Sequence, residues 1–458
     1  MQNAAVSAVG VGLQITRYGG GFDQEQEDAQ TRASFSEQKM EDYRKKKLQK
    51  HLGAATRARF WRERFQQYGV NPDSPDPFLE LTKLPLLSKQ AVKQNTSEFI
   101  NPKVSSRHIR WRHTSGTTGS GLIFPEDKRT EANVWATWWR FRMIHGIHRK
   151  MWCGYFGGRA IVPHHQAHSP FWRVNHPGRQ IIMSGYHLGP ATVAEYLKAL
   201  ADAKVEWLHG YPSMLGLLAK LTHEGGLKPK LSGLKIITTG SENLLPWQKT
   251  TLQKVFGVPV RQHYGSAESV ANFSECEHGR LHVDEDFSAV EFPDAGLGDG
   301  TKTIVGTNWA NPAFPLIRYQ VGDLVKLGTG VCDCGRFGRL VETIEGRNED
   351  YLVLSDGTRI GRLDHIFKDM IRIREAQFVQ NSAHHVDLMV VKDGRYAEQD
   401  ERALRQELAK HLGNKIKIQI QYTDSIPRTK NGKMRLVVSQ LGSNKPQKMC
   451  EDFDELSL

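Results

Sequence analysis

The chain has 458 residues, a net charge of +12 from 62 Lys+Arg against 50 Asp+Glu, and five cysteines. That length predicts two or three folding units, and the odd, small cysteine count argues against a disulfide scaffold. No apolar run approaches the ~20 residues of a membrane helix and the N-terminus lacks a basic-then-apolar leader, so a soluble, cytoplasmic protein is expected.

The positive surplus favours small anionic partners such as nucleotides, pyrophosphate, coenzyme A or an acidic carrier. The basic residues are scattered apart from Arg44-Lys45-Lys46-Lys47, which reads as a solvated surface cluster. No nucleic-acid module is visible. The oligomeric state stays open, a dimer included.

Residues 1–35 are polar and glycine-rich and read as a flexible arm. Helical spacing follows over 35–68 and the Pro-rich stretch 71–78 ends it. Leu84-Pro85-Leu86-Leu87-Ser88-Lys89 reads as a turn leading into another helix. Trp111-Arg112-His113 closes a strand. Further on, 205–208, 234–238 and 258–263 read as strands and 213–223 as a helix. Strands that end in small polar turns suit a parallel sheet, whose ligands collect at the strand carboxyl ends. Composition shifts near Gly346-Arg347. Beyond it 377–380, 386–391 and 415–421 read as strands, with the charged helix 398–411 between them. Residues from 442 on carry little pattern.

The segment Thr114-Ser115-Gly116-Thr117-Thr118-Gly119 combines hydroxyls with glycines. Glycine permits close backbone approach, and amides with hydroxyls can then cradle phosphate oxygens. The segment is not a Walker loop, because no Gly-Lys-Ser/Thr opens a helix there. Taken alone it is as compatible with a structural turn as with a phosphate loop.

Four further segments accompany it: Gly210-Tyr211-Pro212-Ser213, Tyr264-Gly265-Ser266-Ala267-Glu268, Arg318-Tyr319-Gln320-Val321-Gly322-Asp323, and 427–435 from Pro427 to Arg435. In order and spacing the five resemble the acyl-adenylate-forming superfamily. Leu84-Pro85, Phe156-Gly157-Gly158-Arg159, Gly279-Arg280-Leu281-His282 and Cys332-Asp333-Cys334-Gly335-Arg336 narrow the resemblance to the phenylacetate-CoA ligase branch with its capsule-biosynthesis-type adenylating proteins.

The resemblance implies an α/β fold: a large N-terminal adenylate-forming domain with parallel-type sheets (36–346) and a small mobile α+β C-terminal domain (347–441), between the arm 1–35 and the tail 442–458. It implies ATP and Mg²⁺ as cofactors. Glu268 would be the magnesium carboxylate, which suits an ion that takes one or two carboxylates plus phosphate oxygens. Tyr264, with Gly265 and Ser266, and the turn Gly240, Ser241 and Glu242 would flank the adenine. Asp323 would accept both ribose hydroxyls, as a carboxylate can, with Arg347 assisting. Lys433 would bridge the α-phosphate and the substrate carboxylate, and a fixed cation there stabilises the transition state. The hinge falls on Glu349 or Asp350. Two departures from the family pattern stand out: Ser120-Gly121-Leu122 after the loop, and Ala267 where a hydroxyl residue often precedes the glutamate.

Cys332-x-Cys334, with Cys276 and His282 upstream, offers three thiolates and an imidazole, a set that suits closed tetrahedral zinc. His278 is the rival fourth ligand. With no open position the ion would be structural. The aromatic stretch 135–172, with Trp135, Trp138, Trp139 and Arg142 at helical spacing, reads chiefly as core. His209 and Tyr211 are the acyl-pocket candidates by family position, and an aromatic acid is one fit. The implied reaction is activation of a carboxylic acid as acyl-AMP, followed by transfer to a thiol such as coenzyme A or a carrier. The alternatives are an amine acceptor or AMP transfer to a hydroxyl.

Overall fold

The computed structural model describes residues 2–19, 21–113, 122–158, 161–163, 165–347, 352–355, 359–360, 363–367, 370, 372–412, 416–428, 434–439 and 441. They divide between residues 348 and 349 into a large and a small compact unit. Among them, no helix is long and apolar enough to cross a membrane.

The large unit opens with six helices: α1 (Gln2–Tyr18), α2 (Phe22–Ala33), α3 (Glu37–Ala55), α4 (Arg59–Tyr68), α5 (Pro77–Thr82) and α6 (Lys89–Gln94). Side-chain oxygens of Ser36, Asp76 and Ser88 cap α3, α5 and α6 by accepting from the backbone N–H groups of Lys39, Leu79 and Ala91.

The expectation of a flexible arm over 1–35 is corrected by α1 and α2. Two glycines of this stretch serve packing and a turn. Gly10 is buried, and a Cβ there would fall 2.0 Å from Asn175 Oδ1, so its absence allows α1 to lie against Asn175. Gly21, at φ 96°, starts α2 in a conformation that suits glycine. Phe22 and Ala29 then bury the inner face of α2.

A hairpin of β1 (Ile109–His113) and β2 (Ile123–Asp127) flanks the phosphate-loop segment. Residues 114–121 themselves lie outside the described residues. Asp127 caps α7 (Lys128–Ile144) by accepting from Arg129 N–H. There follow β3 (Cys153–Phe156), β4 (Trp172–Asn175), β5 (Gln180–Met183), α8 (Val193–Asp202), β6 (Trp207–Gly210), α9 (Pro212–Glu224), β7 (Ile236–Thr239), α10 (Pro246–Phe256) and β8 (Val260–Gly265). The unit continues with β9 (Asn272–Glu275), β10 (Leu281–Val283), β11 (Ala289–Glu291), β12 (Lys302–Thr307), β13 (Tyr319–Leu327) and β14 (Leu340–Arg347).

Among the described residues these strands, from β3 on, join in one sheet in the order β11-β12-β13-β14-β10-β9-β8-β7-β6-β3-β5-β4. Pairing is parallel across β5-β3-β6-β7-β8 and antiparallel at both flanks. The expected parallel sheet is therefore the middle of a mixed one. Three strands lie one or two residues further along the chain than their sequence-based bounds: each starts two residues later, and each ends later because strand hydrogen bonding runs on into the polar turn residues His209, Thr239 and Tyr264. Helices α8, α9 and α10 alternate with the parallel strands, and their Leu-rich faces form one core with Ile181, Leu208, Ile237 and Val260.

The small unit has β15 (Leu352–Val353), β16 (Arg359–Ile360), β17 (Ile373–Ser382), β18 (His385–Lys392), α11 (Glu398–Leu412), β19 (Lys417–Tyr422) and β20 (Val437–Ser439). Its main sheet runs β19-β18-β17-β20. Phe378, Leu388 and Val390 of that sheet pack with Leu404 and Leu408 of α11. This is an α+β unit of the kind the alternating strand and helix patterns predict.

Candidate active site and metal centre

Strands β6, β7 and β8 end side by side, and the polar turns after them bring three motif segments together. At the end of β6, His209 Nδ1 lies 2.9 Å from Thr238 Oγ1 of β7. Tyr211 stands at the N-cap of α9, whose Pro212 fits the first helical turn. At the end of β7, Ser241 takes a left-handed backbone (φ 70°), and Glu242 Oε2 accepts from Ser213 N–H at 3.1 Å, capping α9.

Beyond β8, the Tyr264 hydroxyl donates to Asp323 Oδ2 at 2.5 Å, and its ring stacks on Phe273 at 4.8 Å. Ser266 Oγ accepts from the backbone of Val270 and Ala271, which makes it a turn former. Glu268 is buried, and Tyr319 donates to its Oε1 at 3.2 Å. Five non-glycine residues have positive φ among those described; Ser241, Ser269 and Arg318 lie in or beside these motif segments. Strained backbone of this kind persists where the surroundings over-determine it, as they do at functional sites.

Arg318 holds the last segment in place. Its guanidinium donates to Glu291 at 3.1 and 2.8 Å and to the Leu84 carbonyl, while Leu87 N–H donates to Arg318 O and Gln320 N–H to Leu87 O. The Leu84-Pro85 turn is thus a brace for the aspartate segment. Tyr319, His263 and Asn272 were not singled out as site residues in the sequence. The signals for Tyr319 and His263 are their places beside Arg318 and Tyr264; Asn272 gives none. Asn272 Oδ1 accepts from Trp138 Nε1 at 2.9 Å, and a Cβ at Gly265 would crowd both, at 3.0 Å from Asn272 Oδ1 and 3.4 Å from Trp138 Nε1. Thr114 to Gly119, Glu349, Asp350 and Lys433 lie outside the described residues, as does the side chain of Arg347.

His209 and His263 stack at 5.8 Å with Trp138 5.3 Å from His263. Burial, with Arg142 next in effect, pushes both imidazoles far down, His263 to about 3. Both are therefore neutral at pH 7.

A second cluster lies at the far hairpins of the same unit. Cys276 follows β9, His282 sits in β10, and Cys332 and Cys334 occupy the turn between β13 and β14. One ligand atom from each lies within 4.8 Å of the others. Cys276 Sγ is 3.7 Å from Cys332 Sγ, and Cys334 Sγ is 3.3 Å from His282 Nε2. Two thiolates on tetrahedral zinc stand ~3.8 Å apart, given Zn–S of ~2.3 Å, whereas a disulfide needs ~2.05 Å. Burial pushes the Cys334 thiol up to about 12 and the His282 imidazole down to about 4. A divalent cation would offset the burial by binding thiolate directly. His282 Nδ1 is buried without a hydrogen-bond partner. The residues fit a closed Cys₃His zinc site. His278, the rival ligand, is exposed and outside the cluster.

Next to this cluster, Asp284, Glu285 and Asp286 form a buried acidic run. Arg140 binds Asp284 and Asp286, Arg32 binds Asp286, Arg336 binds Asp284, and Arg44 and Arg339 bind Glu285. Arg44, read as part of a solvated patch, is largely buried on Glu285 because the buried carboxylate draws it in.

The fold is that of the adenylate-forming acyl-CoA ligases. A crystal structure of 2-hydroxyisobutyryl-CoA ligase in complex with R3-HIB-AMP superposes with a TM-score of 0.68, at 19% identity over 89% of this chain and 91% of that one. The same ligase with 2-HIB-AMP and CoA gives 0.55. Within that fold the chain is homologous to Protein CapK of Staphylococcus aureus, at 24% identity over 369 residues, 79% of this chain and 80% of the relative. Residues 352–440 match the CapK C-terminal domain. It is likewise homologous to phenylacetate-coenzyme A ligases, among them one from Thermus thermophilus, at 24% identity over 65% of this chain and 68% of that ligase.

Proposed function

We propose that the chain is an ATP-dependent ligase that activates a carboxylic acid as acyl-AMP, releases pyrophosphate, and passes the acyl group to an acceptor thiol such as coenzyme A. The observation that carries the reading is the Tyr264–Asp323 hydrogen bond. It joins an aromatic face and a carboxylate, the two groups that an adenosine needs for its base and its ribose diol, at the carboxyl end of a parallel sheet.

Asp323 accepts from the ribose hydroxyls, and Tyr264 with Gly240, Ser241 and Glu242 flanks the adenine. Glu268, oriented by Tyr319, would hold magnesium, which neutralises phosphate charge when bound. The hydroxyls and amides of 114–119 cradle the phosphates. A carboxylate oxygen of the substrate attacks the α-phosphorus, the bond to the bridging oxygen breaks, and pyrophosphate leaves with the electron pair. Lys433 stabilises the charge that develops there. The 347–441 domain then turns about Glu349 or Asp350. An acceptor thiolate attacks the acyl carbonyl and AMP departs.

His209 and Tyr211 line the acyl pocket in this reading. Zinc held by Cys276, His282, Cys332 and Cys334 has a structural role, tying two hairpins together. The test is acid-dependent exchange of pyrophosphate into ATP over a broad panel of carboxylic acids. Exchange that requires an acid and falls at least a hundredfold in Lys433→Ala supports the reading. Absence of exchange with every acid removes it.

A further inference from the structure

The same helix buries two arginines with opposite surroundings. Arg140 of α7 is sandwiched between Asp284 and Asp286, and those carboxylates raise its affinity for the proton. Arg142, two residues on, is equally buried, yet the groups that act on its charge are Tyr18, Cys153, Tyr155 and Arg17, with no carboxylate among the described residues. Its Nε has no hydrogen-bond partner. What faces the guanidinium is aromatic: Trp139 at 4.8 Å, Trp207 at 5.3 Å and Trp135 at 5.6 Å. Arg17 lies over Trp135 as well, at 4.2 Å, so a second cation adds to the field. Cation–π contacts offset part of the desolvation of a buried cation, but they leave its in-plane donors unused.

This cation belongs to the same side-chain cluster as the strand ends. Its charge presses on both His209 and His263, whose rings stack. Trp138, one helical turn before Arg142, packs on His263 and approaches Gly265. The neutral imidazoles supply no counter-charge. We propose that Arg142 is a specificity-determining residue that reads a second anionic group on the acid, so that the substrate is a dicarboxylic acid whose far carboxylate docks on the guanidinium between Trp139 and Trp207. The planar fork suits bidentate capture of a carboxylate. This rests on the acid-activation reading above. Four residues, ~6 Å of helix rise, separate Arg142 from Trp138, which reaches Gly265 at the strand end, so a diacid with a short aliphatic spacer or one benzene ring has the reach this proposal needs.

The experiment measures binding of glutarate against pentanoate, and of terephthalate against benzoate, by calorimetry on the full chain. It uses wild type, Arg142→Met and Arg142→Lys. Wild type should bind at least one diacid tenfold or more tighter than its matched monoacid. Arg142→Met should abolish that ratio and Arg142→Lys reduce it severalfold. Equal binding of diacid and monoacid by wild type, no binding of either diacid, or a ratio that survives both substitutions overturns the proposal. If Arg142→Met fails to fold, Arg142→Lys alone decides. The same acids are run in pyrophosphate exchange. A diacid that binds through Arg142 but supports no exchange leaves the anion site standing and counts against the activation reading alone.

Discussion

Asp286→Asn removes one charge from the middle of the buried network while keeping the side-chain shape. In the native protein Asp286 takes Arg32 Nε at 2.7 Å and Arg140 at 2.8 and 2.9 Å, all three side chains being almost fully buried. Taking one partner out of a buried ion pair costs ~3–5 kcal/mol, because the remaining charge is left desolvated. Arg32 keeps Glu25 at 2.7 Å and Arg140 keeps Asp284 at 2.8 Å, so the lower end, ~3 kcal/mol, is expected here. In urea, with a slope of ~2–3 kcal/mol/M, the large unit's unfolding midpoint should fall by ~1–1.5 M. Tryptophan fluorescence reports it, since Trp135, Trp139 and Trp207 lie in that unit.

The arginines hold the Asp286 carboxyl far below its ordinary range. A carboxylate depressed in the folded state contributes its stability in full above the unfolded pKa of ~3.9 and loses it as pH falls below that value. The difference between wild type and variant should therefore be constant from pH 5 to 8. Arg59→Ala, which breaks the exposed Arg59–Glu63 pair, is the control and should leave the midpoint unchanged. A midpoint shift in Asp286→Asn no larger than the control's, or one that grows between pH 5 and 8, would refute the assignment of this network as a structural clamp.

Cys334→Ser should reduce zinc from about one ion per chain to a trace and lower the thermal midpoint; metal analysis of purified protein checks the first, and a wild type without zinc removes the site. Tyr264→Phe deletes the hydroxyl that orients Asp323, and a hydrogen bond to a charged group is worth ~1.5–3 kcal/mol, so KM for ATP should rise about tenfold or more; an unchanged value detaches Tyr264 from the nucleotide. His51 is buried in α3 with Nε2 unpartnered, and burial pushes its pKa down to about 3. Protons therefore bind the unfolded chain first as pH falls through ~6.5, which costs ~2 kcal/mol of stability by pH 5. His51→Leu should flatten that part of the urea-stability profile between pH 7 and 5, and an unaltered slope would show that His51 is not its source.

Much of the candidate site's frame is legible because the segments 210–213, 240–242 and 264–268 follow strands that pair in parallel, and a parallel sheet gathers such ends. Tyr264 and Glu268 stand out from that pattern together with the resemblance; Asp323, inside antiparallel β13, stands out from the resemblance alone. The helices α1 and α2 do not. Gly10, Gly12 and Gly19-Gly20-Gly21 look like breakers, and the need for bare backbone against Asn175 appears only when β4 arrives from far downstream in the chain. Asp284-Glu285-Asp286 is hidden for a similar reason. A run of acids reads as surface until arginines from α2, α3, α7 and the Cys332-x-Cys334 turn close over it. The Cys/His cluster stands between these cases: the set with His282 is readable from the sequence, and the pairing of β9–β10 with β14 leaves the rival His278 outside it.

The fit of α1 on β4 also bears on how the protein is handled. β4 is the terminal strand of the long sheet, and its outer backbone is met by α1. Asn3 Oδ1 accepts from Val174 N–H, and Ser7 Oγ donates to Val174 O while accepting from His176 N–H. Exposed strand edges recruit other strands. Helix α1 therefore acts as a sheath on an adhesive edge, and a chain shortened to begin after it should self-associate through β4 more than the full chain does.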